Sequence, residues 1–60
     1  MDKKDRFYKV YGNLPLGLRG DVVAVIGGEP VSWRVAKLEI DEDTKKGEEI
    51  LDQLIRLEII

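Results

Sequence analysis

Asp21-Val22-Val23-Ala24-Val25-Ile26-Gly27-Gly28-Glu29-Pro30-Val31 is the stretch on which the fold of this chain turns. From Val22 to Ile26 every residue but Ala24 is β-branched, the composition that packs well on a pleated surface. The run is apolar at odd and even positions alike, which predicts a central strand covered on both faces. Gly27-Gly28 supplies the positive φ angles of a tight hairpin turn. Pro30 has no backbone donor, so the returning strand is a sheet edge or very short.

Working outward toward the N-terminus, Arg6-Phe7-Tyr8-Lys9-Val10-Tyr11 is rich in aromatic and β-branched residues and reads as another short strand, stopped by Gly12-Asn13. Residues 1–5 are charged after Met1 and are expected to fray. Leu14-Pro15-Leu16-Gly17-Leu18 places three leucines at alternate positions. Pro15 disfavours helix at Leu14 and Gly17 weakens it further, so the segment reads as an extended arm.

Working outward toward the C-terminus, residues 32–40 fit two patterns. As a strand they need a bulge between Val35 and Ala36. As a helix opened by Ser32 they align Trp33, Ala36 and Ile40 in one stripe, and Val35 and Leu38 then face elsewhere. The helical pattern is preferred. Residues 44–57 predict an amphipathic helix, capped by Asp43 or Thr44, with Glu48 and Glu49 early and Arg56 late as the helix dipole favours. Its apolar side carries Ile50, Leu51, Leu54, Ile55 and Leu57. Glu58 would interrupt that side, so the helix should stop near Leu57 and leave Glu58-Ile59-Ile60 as a tail. Gly47 costs about 1 kcal/mol relative to Ala in a helix interior and suggests close packing at that point. The expected fold is a single α+β domain over 1–60: a β-hairpin or small three-stranded antiparallel sheet followed by one or two C-terminal helices.

Sixty residues bury only roughly 60% of the surface their unfolded chain exposes, so stability is marginal. With 43% hydrophobic and 37% charged residues and a net charge of −2, the composition is that of a folded chain. There is no cysteine and no histidine, which removes disulfides and thiolate or imidazole metal sites. The same absence removes the usual base of nucleophilic catalysis, and no enzyme and no cofactor is expected. GNLPLGLRG, residues 12–20, lacks the Lys-Ser/Thr of a phosphate loop, and Gly27-Gly28 runs into Glu29. Asp41-Glu42-Asp43 fails as a calcium loop because Lys45 and Lys46 fall on the next ligand positions and the glycine position. The longest apolar run, Val22–Ile26, is far too short to span a membrane, and a cytoplasmic location is expected. One Asn and one Gln among many Lys, Glu and Ile point toward a thermophilic source.

What calls for explanation is the supply of large apolar residues. Leu14, Leu16, Leu18, Trp33, Leu51, Leu54, Ile55, Ile59 and Ile60 are the candidate protein interface, for a homodimer or for another protein chain. For Trp33, an anchor of the only core is the competing assignment. The alternative partner is nucleic acid, met by Lys3, Lys4, Arg6 and Lys9 interleaved with Tyr8 and Tyr11. A sequence pI near 5.0 weighs against it.

The "VAVI" strand, glycine turn and "PV" return of residues 21–31, followed by a short amphipathic C-terminal part, resemble small archaeal and bacterial proteins, some of them antitoxin-like. The resemblance implies that Trp33–Ile60 is a dimerising segment or one that wraps a partner. The basic DNA-reading element of such proteins is not evident in this chain.

Overall fold

The computed structural model describes residues 2–60. The element order is α1 (Lys3–Gly12), β1 (Val22–Ile26), β2 (Glu29–Ser32), α2 (Trp33–Asp41) and α3 (Lys45–Arg56), with a 3₁₀ turn at Leu16–Leu18 between α1 and β1. The chain is α+β, with a two-stranded antiparallel sheet instead of three strands. The missing strand is the first one expected: Arg6–Tyr11 is helical. Aromatic composition suggested a strand there, but Phe7 and Tyr11 stand four apart and both are buried, the spacing of a helix face. The Asp2 carboxylate caps this helix by accepting from the Asp5 N–H at 3.1 Å, and residues 3–5 form its first turn. Met1 lies outside the described residues.

The hairpin forms as its residues require. Gly27 and Gly28 adopt φ of +59° and +83°, closing a two-residue turn between Ile26 and Glu29. The register shifts between Val22 and Ala24, a bulge that leaves Val23 without a partner in the ladder. β1 is not covered on both faces. Ala24 is buried while Val22 and Val25 are exposed, because the sheet has only two strands and helices pack on one side of it.

The ambiguous segment 32–40 is helix. Ser32 caps α2 by accepting from the Val35 N–H at 3.2 Å, and Trp33, Ala36 and Ile40 form its buried stripe. Both α2 and α3 end in the same device. The residue two past each helix, Asp43 and Glu58, sits in the left-handed region at φ 55° and 58°. The N–H groups that follow turn back: Asp43 to Ile40 O and Thr44 to Glu39 O after α2, Glu58 to Ile55 O and Ile59 to Leu54 O after α3. This is the Schellman pattern, built here on acidic residues where glycine is usual.

Thr44 serves two helices. Its backbone closes the C-terminus of α2, and its hydroxyl accepts from the Gly47 N–H at 2.9 Å as the N-cap of α3. The same hydroxyl lies 2.7 Å from a Glu39 carboxylate oxygen, to which it donates. Two helices joined so tightly cross at close range, and Gly47 is the point of approach. A Cβ there would stand 2.5 Å from the Glu39 carbonyl oxygen.

The core lies among α1, α2, α3 and the inner face of the hairpin. Phe7, Val31, Ala36, Ile40, Ile50 and Leu54 are fully buried, joined by Tyr11, Ala24, Trp33 and Leu51. Phe7 sits at its centre, 5.7 Å from the Tyr11 ring and 6.0 Å from Trp33, within the range of favourable aromatic pairs.

Candidate protein-interaction surface

The structure divides the predicted interface residues into three groups. Trp33, Leu51 and Leu54 are inside the chain's own core and unavailable to a partner. Leu14, Ile55 and Ile60 are half-buried, with Leu14 and Ile60 packed against that core. Leu16, Leu18 and Ile59 are exposed, Leu16 most of all at 75%. Of the α3 stripe, Ile50, Leu51 and Leu54 are spent on folding, Ile55 is half-buried and Leu57 is exposed, so the outward apolar surface lies mostly elsewhere.

That surface was only partly foreseen. Besides Leu16 and Leu18, the exposed large apolar residues include Val22, Val35 and Leu38, with Val22 and Leu38 each 59% exposed. Val35 and Leu38 lie three apart on the side of α2 away from Trp33, Ala36 and Ile40. The helical pattern had already turned both away from the buried stripe, and that was the available signal. Val22 gave none, since a strand covered on both faces would have hidden it.

Backbone hydrogen bonds bring three of these residues, Leu18, Val22 and Val35, to one end of α2. The Arg34 N–H donates to Arg19 O at 3.0 Å, and the Trp33 N–H donates to Asp21 O at 3.2 Å. Val22 faces Ser32, the α2 cap, across the ladder. Leu18, Val22 and Val35 are thus each one residue removed from this junction. Arg34 is exposed at the N-terminus of α2 and Glu42 at its C-terminal cap, and neither forms an ion pair among the described residues.

The residues of the alternative nucleic-acid surface make contacts within the chain. Lys3 pairs with Asp52 at 2.6 Å, Lys4 with Asp43, and Arg6 donates to the Ile60 backbone oxygen at 2.9 Å. These bonds tie α1 to the turn after α2, to the middle of α3 and to the last residue of the chain. Among the described residues Lys9 forms no ion pair, and Lys3 and Arg6 are exposed as it is. Tyr11 is buried with the Arg19 guanidinium 4.6 Å from its ring centroid, a cation–π contact. Tyr8 donates to Asp41, which pushes its hydroxyl up to about 12. Hydrogen bonds from Lys37, first, and from Tyr8 hold Asp41 below the usual carboxylate value. These groups form a surface network linking α1 to α2.

The edges of the sheet are closed to a further strand at one rung. In a two-residue hairpin the pair next to the turn is hydrogen-bonded, and the following pair, Val25 and Pro30, points its backbone groups outward. On the β1 side the Gln53 amide meets both groups: Oε1 accepts from Val25 N and Nε2 donates to Val25 O, each at 3.1 Å. On the β2 side the outward donor does not exist, because residue 30 is proline. Both are recognised ways of blunting an exposed strand edge.

Beside the Gln53 clamp lies a shallow open groove of about 290 Å³ between Val25–Gly27 and the α3 residues Glu49, Asp52 and Arg56. Ligand pockets usually begin near that size but enclose their contents. Among the described residues no group of three or more acidic side chains could hold a metal ion, and no helix is long and apolar enough to cross a membrane. The chain matches no known family model, no curated protein and no solved structure.

Proposed function

We propose that this chain is a non-enzymatic interaction module that associates with a second copy of itself through the apolar surface of Leu16, Leu18, Val22, Val35 and Leu38. One observation carries the reading. The chain fills its core with ten buried apolar residues and still leaves these five in water; Leu18, Val22 and Val35 adjoin the junction at the first turn of α2, and Leu38 lies a turn further along the same helix. Contiguous apolar surface on so small a body marks an interface. Each Leu moved from water into a contact contributes about 1.5–3 kcal/mol, a large fraction of the stability of such a domain.

The blunted sheet edges support a partner that docks on side chains and not by adding a strand. An antitoxin-like role, implied by the hairpin resemblance, would call on the same surface. In that role α2 and α3 would stay packed on the core, not unwrap onto a toxin as Trp33–Ile60. Sedimentation velocity across the micromolar range tests the reading: a concentration-dependent shift to dimer is expected, and a chain that stays monomeric throughout refutes it.

A further inference from the structure

We infer that the second copy docks antiparallel, α2 against α2, across a twofold axis near the middle of that helix. The inference rests on the self-association proposed above and adds its geometry. The outward stripe of α2 has Arg34 at its N-terminal end, Val35 and Leu38 in the middle and Glu42 at its C-terminal cap. A twofold interface must be self-complementary, each patch meeting its own copy. Antiparallel packing with Val35 opposite the other copy's Leu38 brings Arg34 within one helical turn of the other copy's Glu42, and does so twice by symmetry. Parallel packing would set Arg34 against Arg34 and Glu42 against Glu42. Opposed like charges of this kind select against a docking mode.

The ends of the seam are available for this pairing because Arg34 and Glu42 have no ion-pair partner within their own chain among the described residues. By contrast Lys37 and Asp41, on the flank of α2, are already paired with each other at 2.7 Å. One helix is too narrow to hold a stable dimer by itself. A standard interface takes about 800 Å² from each partner, against a total surface of 3986 Å² for this chain. Leu18 and Val22, adjoining the first turn of α2, extend the apolar area at both ends of a twofold seam.

Charge-swap variants of the full chain, followed by sedimentation velocity, test this geometry. Arg34→Glu and Glu42→Arg should each weaken the dimer about tenfold or more, and the double swap should restore it, an effect that fades at high salt. Leu38→Glu should give monomer with an unchanged circular dichroism spectrum, since the site is exposed and the core is untouched. Three results overturn the seam. In the first, the double swap is no better than the worse single swap. In the second, the dimer survives Leu38→Glu but is lost on replacing Leu16 and Leu18, which removes the α2 seam while leaving self-association standing. In the third, the unaltered chain is monomeric at every concentration, which removes both.

Discussion

Replacing Gly47 by Ala should destabilise this protein, although helix propensity alone says the opposite. In an unobstructed helix the change would gain about 1 kcal/mol. Here the new Cβ would lie 2.5 Å from Glu39 O, 2.7 Å from Glu39 C and 2.9 Å from Ile40 N, closer than real Cβ atoms come to backbone. No rotamer change relieves a clash with main chain. Nor can the Glu39 carbonyl easily retreat, since it accepts from the Thr44 N–H at 3.2 Å and lies 3.1 Å from the Thr44 hydroxyl. The helices must separate, loosening Ile40 against Ile50 and Leu54. Overpacking of this sort costs about 1–3 kcal/mol, and a clash with main chain falls at the upper end, so after the propensity gain of about 1 kcal/mol is subtracted a net loss of about 2 kcal/mol is expected. For 60 residues at about 0.05–0.15 kcal/mol each, that is a quarter to more than half of the total stability. The melting temperature should fall by about 8–16 °C. Urea unfolding, monitored by helical circular dichroism and by Trp33 fluorescence, measures the change. Gly12→Ala is the control, because nothing stands within 4 Å of its added Cβ. A Gly47→Ala protein as stable as the control would refute the close crossing of α2 and α3.

Other perturbations have definite signs. Glu58→Gly should stabilise by about 1 kcal/mol, because glycine adopts the left-handed φ of 58° without the Cβ cost that glutamate bears; a lowered urea midpoint would contradict the Schellman geometry. Gln53→Ala should cost about 1 kcal/mol and expose the Val25 N–H, so amide exchange at Val25 should accelerate selectively. Unchanged Val25 protection would show that the edge is covered some other way. The Tyr8–Asp41 contact makes a prediction at both ends of the pH scale. Asp41 titrates below its ordinary 3.8, so its contribution is present above that value and lost as pH falls through the lower, folded one. Tyr8 titrates near 12, so its contribution is present below pH 10 and lost between 10 and about 12. Absorbance titration of the protein minus that of Tyr8→Phe isolates the phenol, and a Tyr8 midpoint near 10 would rule the hydrogen bond out.

Local chemistry made much of this chain legible before any packing was known. Gly27-Gly28 between apolar runs could only be a tight turn. Asp43 or Thr44 ahead of a 3.6-period stripe marked α3, and Glu58 in that stripe marked its end. The close approach at Gly47 was suggested by a glycine where alanine would be the better helix former. Each of these depends on one or two residues and their neighbours. The error at α1 is of the same local kind: Phe7, Tyr8, Val10 and Tyr11 suit a strand by composition and a helix by spacing, and the Asp2 cap with the Phe7–Trp33 contact decides for the helix.

What the sequence alone could not decide is which apolar residues the fold consumes. Val22–Ile26 reads the same whether one layer or two covers it, because hydrophobicity records a preference for burial and not the number of layers present. Leu51 and Leu54 look as available as Leu16 or Leu38 until α3 is laid against α2 and the hairpin. Only the tertiary arrangement assigns the first pair to the core and leaves the second pair in water, since burial belongs to the contacts a side chain makes and those come from residues distant in the chain.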